Sequence, residues 1–230
     1  YKVSRTIEIY AGHSRGLEEA GIAPASSPNR FEVLPPASAR QFEAAVIFRP
    51  TAGFQLVVGA FDLQRGYFGA DTIDGAYRQL GRVRHRGLEF SAAGTVAKGF
   101  SVVLGGVLID PIVKTNGEHD RSFRPVGVPN VRLLASADYL LTGNLHVDAA
   151  VNFSSSRKAA ILVDAPDPAV PSSTTVNVGL RSPLRFGKVA STVRLQLLNL
   201  LNDFSWDVTS AGTMTYSPSR RFRLALTTEF

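Results

Sequence analysis

Few side chains in this 230-residue sequence are placed to do bond chemistry. His146 and Asp148 stand two apart, with Ser154 further along, and these are residue types that serve in hydrolysis. On a strand, however, positions i and i+2 hold side chains about 6–7 Å apart, and no nucleophile motif surrounds these three. They read as polar wall. Gly117-Glu118-His119-Asp120 brings oxygen and imidazole donors together, a set that suits a divalent metal. The same residues make an ordinary solvated loop tip, and that reading is preferred. Asn152-Phe153-Ser154 fits a glycosylation sequon but falls inside a predicted strand. There are no cysteines, which removes disulfides, thiolate metal sites and cysteine nucleophiles. The expectation is no catalytic residue, no metal site, no cofactor and no enzyme activity.

The net charge is +6 and the isoelectric point is near 9.9, a balance that raises the question of nucleic acid. The basic residues are scattered singly, apart from Arg82-Val83-Arg84-His85-Arg86 and the Arg220-Arg221-x-Arg223 group. No nucleic-acid-binding motif accompanies them, so no nucleic-acid partner is expected. Charged residues make up only 19% of the chain, below the quarter or so of a soluble domain. No uncharged run reaches the roughly 18 residues that a spanning helix needs.

Period-two alternation runs through the chain instead. Leu145, Val147, Ala149, Val151 and Phe153 alternate with His146, Asp148, Ala150 and Asn152, which places the two sets on opposite faces of a strand. The last stretch, RRFRLALTTEF, sets Phe222, Leu224, Leu226, Thr228 and Phe230 against Arg221, Arg223, Ala225, Thr227 and Glu229. Ten strands are predicted: 3–14, 38–49, 54–65, 77–93, 100–110, 130–140, 145–155, 173–183, 190–202 and 213–230. Most run near 11 residues, the length of a tilted strand crossing a bilayer, whereas strands in soluble domains average about 5–6.

Connections separate by length. Pro50–Gly53, Val96–Gly99, Leu141–Asn144 and Phe186–Val189 are tight turns, and they alternate with long links at 15–37, 66–76, 111–129, 156–172 and 203–212. A transmembrane β-barrel segregates its connections this way, with short periplasmic turns at one rim and long extracellular loops at the other. On this parity the first strand runs outward. The apolar sets then face lipid. Glu43, Asp62, Glu89, His146, Asp148, Asn152, Asn177, Arg181, Arg194, Gln196, Arg221, Arg223 and Glu229 face a wet interior. A soluble β-sandwich shares the alternation but has no reason to sort its loops.

Several stretches resemble TonB-dependent outer-membrane receptors, in order along the chain. GHSRGLEEAGIAPASSPNRFEVLPPASARQFEAAVIFRPTAGFQLVVGAFDL is similar to a family segment in which a strand ending "YSRGLE" leads through a loop into "LPP…KQYEAGVKYRP". RHRGLEF resembles "RSRGVEL", and PVGVPNVRLLASADYLL the strand after a "VPNxP"-type loop. VRLQLLNLLND is similar to "RLNVENLFD", and RRFRLALTTEF to the family's closing strand. The resemblance implies an all-β, antiparallel, up-and-down transmembrane β-barrel in the Gram-negative outer membrane. Residues 1–230 would form its C-terminal part, with the plug domain and N-terminal strands absent. It further implies TonB-dependent transport of a ferric siderophore or similar chelate. The partners would be outer-membrane lipid, the chelate, TonB through the missing plug, and the barrel-assembly machinery. That machinery would read Phe230 with Leu224 and Leu226, although Thr228 stands where the family has a larger apolar residue. Chelates of this kind are often anionic and aromatic, which suits Arg, Tyr and Trp by charge pairing and stacking. Tyr67, Tyr77, Arg121 and Trp206 are accordingly the expected ligand contacts, against the alternative of an interfacial aromatic belt. A self-contained ten-stranded barrel (pore, adhesin or protease) is the rival reading.

Overall fold

Alternating residues on adjacent strands share a face only when the strands keep register, and a single antiparallel meander does this throughout. A computed structural model describes residues 1–116, 121–161, 166–187, 189–210 and 213–229. In chain order the strands are β1 (Ile7–Glu18), β2 (Ala37–Thr51), β3 (Phe54–Ala70), β4 (Tyr77–Ala97), β5 (Phe100–Thr115), β6 (Ser122–Phe123), β7 (Val131–Thr142) and β8 (Leu145–Ser154). They continue with β9 (Arg157–Lys158), β10 (Ala169–Val170), β11 (Ser173–Phe186), β12 (Val189–Leu198), β13 (Trp206–Ser210), β14 (Thr213–Tyr216) and β15 (Arg221–Glu229). One sheet runs β1-β2-β3-β4-β5-β7-β8-β11-β12-β15, with β6 added to β5, and two small hairpins, β9–β10 and β13–β14, stand apart from it. Among the described residues, β1 and β15 are its two unpaired edges.

The ten long strands match the predicted ten in number and order; β1, β3 and β5 run four or five residues further into the long connections than predicted, and β4 four further toward its tight turn. The first starts at Ile7 rather than residue 3, because residues 1–6 turn back on it: the Val3 and Ser4 amides both donate to Ile7 O. The ninth ends at Leu198, where Asn199 enters the left-handed region at φ 52°, a conformation that asparagine tolerates and that ends pairing. The tenth is broken between Tyr216 and Arg221 by a segment holding Pro218, which has no N–H for a ladder.

Register assigns every side chain to a face. Ile9, Val46, Val58 and Phe90 are direct cross-strand partners, and so are Tyr139, Val147, Leu180, Leu195 and Leu224. These apolar positions are the exposed ones: Phe42 is 52% accessible, Leu88 53% and Leu224 74%. In water such a surface would be strongly unfavourable, but against acyl chains it is the expected exterior. The apolar stretch also shifts three same-face rungs toward the tight turns between β1 and β15, as it must when tilted strands cross a level band. The predicted inward set holds with one exception. Asp62 pairs with Phe42 and shares its face with Val58, so it points outward at the upper end of the apolar stretch. β3 misleads because Val57, Phe61 and Leu63 on its other face are apolar too.

Buried side chains are confined largely to one end. Val83, Val113, Ala23, Leu34, Ala37, Ala159 and Val170 are the main ones, all in the long connections or the strand ends beside them. That end meets water and needs a core of its own. The backbone of β5 lies close against the 21-residue β4 at Gly81 and Gly87, which carry no side chain. A Cβ on Gly87 would lie 2.1 Å from Leu108 O, so glycine is required for the close approach. Leu224 and Leu226 face outward, and Phe230 lies outside the described residues.

Leu195→Arg, at the centre of the outward apolar stretch, is expected to destabilise the folded protein by about 2–4 kcal/mol. The neighbouring inward-facing Gln196→Arg should leave it nearly unchanged. Urea titration in phospholipid vesicles, read by heat-modifiable gel migration, checks both.

Candidate functional site

The connections at the long-loop rim fold over the inward face. Gly127 N donates to Lys158 O at 2.9 Å, and the backbone of Gly127 lies against Val208 of β13. Arg157 is 9% accessible and ties three segments together. It donates to Trp206 O at 2.6 Å, to Asp207 Oδ1 at 3.0 Å and to Ser154 Oγ at 3.2 Å. Asn199, also buried, staples the base of the β13–β14 connection. Its side-chain amide donates to Asp203 O (2.9 Å) and Pro218 O (3.1 Å), and its Oδ1 accepts from Asp203 N (3.0 Å).

These contacts frame a cavity of about 610 Å³, lined by Arg132, Asn152, Ser154, Arg157, Thr175 and Asp207 among others. Arg132 faces inward, opposite Val107 and Ser154; its guanidinium is exposed and has no partner among the described residues. The acid, Asp207, is already held by Arg157. An excess of guanidinium over carboxylate, set among hydroxyl and amide groups, suits an anionic ligand rich in hydrogen-bonding oxygens.

A second group lies over β3, β4 and β5. Tyr67 packs edge-on against Phe123 at 5.8 Å. Burial pushes its phenol above the ordinary tyrosine range, and Tyr77 adds to the shift. At neutral pH it is therefore an O–H donor. Asn29 clamps the β1–β2 connection here, accepting from Tyr77 N at 2.8 Å and donating to Tyr77 O at 2.9 Å. Arg78 lowers the Asp74 carboxyl below its usual range by hydrogen bonding, which fixes the β3–β4 turn.

Of the four expected contacts, the structure brings Tyr67 and Tyr77 together. Arg121 lies beside them through backbone bonds to Thr115, whose cross-strand partner Gly81 also pairs with Tyr67. Trp206 belongs to the other group, edge-on to Phe204 at 5.4 Å and bonded to Arg157 through its carbonyl. Sequence reasoning missed Arg132, Arg157 and Asn199. Asn199 alone carried a signal, the paired asparagines of LLNLLND. His146 is bonded to Asp138 (2.7 Å), which also accepts from Arg181 (3.0 Å), and Ser154 serves Arg157. The three residues considered for hydrolysis are thus not assembled with one another. Gly117–Asp120 lies outside the described residues.

Residues 1–202 match the family model described as TonB-dependent receptor-like β-barrel. The chain belongs to the TonB-dependent receptor β-barrel family. Membership makes it an outer-membrane β-barrel protein of a Gram-negative bacterium, and sets the long connections outside the cell. The whole described fold is shared with solved receptors. BauA, the ferric preacinetobactin receptor of Acinetobacter baumannii, aligns with a TM-score of 0.79 at 22% identity, over 98% of this chain and 34% of its own. Fiu, the ferric-catecholate import receptor of Escherichia coli K12, aligns at 0.76 and 17%, over 98% and 33%. The ferric citrate transporter FecA aligns at 0.75 and 14%, over 99% and 36%. The chain therefore spans about a third of the length of these structures. Comparison with curated protein sequences gave no match. The family and these neighbours are receptors and transporters, not enzymes.

Arg157→Ala removes charge-assisted bonds from a buried position, a loss of about 2 kcal/mol to the order of the vestibule. Limited proteolysis of the folded protein should then cut within 203–219 severalfold faster, and Arg157→Lys should restore part of the protection.

Proposed function

We propose that these strands form the wall and outer vestibule of a receptor that takes up an anionic ferric chelate, a siderophore or a related ligand, with energy delivered by TonB. The observation that carries this reading is the cationic, hydroxyl-rich cavity under the β9–β10 and β13–β14 hairpins, on the lumen side of a barrel of this family. Arg132 supplies charge pairing, Arg157 holds the cavity wall in place, and the serine, threonine and asparagine groups supply donors. Tyr67, Tyr77 and Trp206 supply aromatic faces at the rim, with Arg121 beside them. Ferric ion is cargo here, held by the chelator.

In this reading the chain is the C-terminal part of a larger barrel whose plug fills the lumen and answers to TonB. β1 and β15 do not pair with each other among the described residues, which supports that reading over a self-contained ten-stranded pore. Outward-facing Leu224 and Leu226, with Phe230, form the signal read by the barrel-assembly machinery, and lipid covers the apolar band.

Deletion of the full-length gene should abolish growth on one or more ferric chelates as sole iron source. Arg132→Ala in the purified receptor should weaken the corresponding chelate about tenfold, or about 1.4 kcal/mol, by calorimetric titration. Growth on every chelate without the gene, together with unchanged affinity in the variant, would overturn the assignment.

A further inference from the structure

We propose that the inward face of β11, β12 and β15 carries a ladder of arginines along which an anionic chelate passes from the vestibule toward the tight-turn rim. The proposal rests on the uptake reading given above. Arg181, Arg185, Arg194, Arg221 and Arg223 all lie on this face. The only carboxylate that shares it among the described residues is Glu229, opposite Ala190 beside the last tight turn.

Register gives the order of the rungs. Thr175 lines the vestibule cavity, and Asn177 is the next inward residue toward the tight turn. Ser217, also on the cavity wall, leads into β15. The ladder therefore begins where the cavity ends. Its first cation is Arg221, opposite Leu198. One rung on, Gly179, Gln196 and Arg223 stand side by side, and at the next Arg181 faces Arg194. Arg185 is two rungs further, opposite Ala190. Same-face rungs lie about 6–7 Å apart, so an anion leaving one guanidinium meets another within one or two steps.

Most of these charges are free. Arg185, Arg194, Arg221 and Arg223 are exposed and have no partner among the described residues. Arg181 alone is neutralised, by Asp138 at 3.0 Å. Like charges directly opposite each other destabilise a sheet. Asp138 relieves the Arg181–Arg194 pair from one side, and a passing anion relieves it from the other. The lumen wall of β1 and β2 is treated differently. There Glu8 holds Arg49 at 2.9 Å, and Glu43 accepts from Gln41 at 2.8 Å and from Tyr10.

A wall of one sign raises the local concentration of counter-ions. Exposed ion pairs are individually weak, and transit needs sites favourable enough to enter yet weak enough to leave. Acidic side chains of a plug would suit the same cations but would stay on them, and the test separates the two.

Cells that express the complete gene are given radiolabelled ferric citrate or ferric dihydroxybenzoate, one aliphatic anion and one aromatic. Binding is read on energy-depleted cells and uptake on energised ones. For a probe that wild type takes up, Arg194→Gln/Arg221→Gln/Arg223→Gln should slow uptake at least fivefold and leave binding within twofold. Lysine at the same three positions should keep at least half the rate. Arg49→Gln, which removes a lumen cation away from the ladder, should change neither quantity. The ladder falls if the glutamine variant takes up iron at the wild-type rate, if binding drops as far as uptake, if lysine behaves as glutamine, or if Arg49→Gln slows uptake equally. It also falls if the glutamine variant admits a large antibiotic such as vancomycin, which would mark these arginines as anchors for a plug. If wild type takes up neither probe, the anionic-chelate reading itself is overturned. Should the triple variant fail to show heat-modifiable folding, Arg194→Gln and Arg223→Gln singly are expected to slow uptake about twofold each, and wild-type rates in both overturn the ladder.

Discussion

Inside a hydrocarbon layer no water is present to satisfy a backbone N–H or C=O, and each one left bare there costs several kcal/mol. A chain that crosses with strands must therefore pair every strand with its neighbours along the whole crossing. The continuous pairing from β1 to β15, with register shifts confined to positions beside the turns and at Tyr67/Phe68, is the consequence. Because side chains alternate, a slip of one residue at any pair would turn that strand's apolar set inward and its charges into lipid. Register is thus what puts Val58 and Leu195 outside while Asp138, His146 and Arg181 meet inside.

The molecule lives in two solvents, and its packing changes where they meet. Through the apolar band the lipid takes the place of a protein core, so Phe42, Leu88 and Leu224 stay exposed and few side chains are buried. Beyond the band the strands and connections stand in water and must bury apolar surface themselves. Val113 is buried beside β6, opposite Phe123, and Leu34 and Ala23 are buried within the β1–β2 connection. This second layer is held together by polar groups: Asn29 on the Tyr77 backbone, Arg157 on the Trp206 carbonyl, and Asn199 on Asp203 and Pro218.

Charge is distributed by the same division. Asp138 gathers His146 and Arg181 on the lumen wall, and Asp62 and Asp110 neutralise arginines where the outward face leaves the lipid. Arg132 in the vestibule, and Arg15 and Arg82 on the outward face, keep their charge without a carboxylate among the described residues.

Alternation and connection length were enough, in the sequence, to determine the strand count, the tight turns and the direction of the chain, because a period of two and a turn of a few residues are local properties. The mostly polar identity of the lumen wall was also legible, strand by strand. Asp62 was not. β3 is apolar on both faces, and only pairing with Phe42 and Val58 decides its orientation. The ends of β1 and β12 depended on a backbone turn at residues 1–6 and on the left-handed Asn199. Tyr67 and Tyr77 could be nominated from type and loop position, but the packing of Tyr67 on Phe123 and the separate placing of Trp206 could not. The vestibule was the least legible part. Arg157 and Arg132 are ordinary arginines in sequence, and what brings them to one cavity is the folding of connections onto one inward face, with Arg157 bonded to residues more than forty positions away. Contacts between segments so distant along the chain leave no periodic trace, so only the tertiary structure decides them.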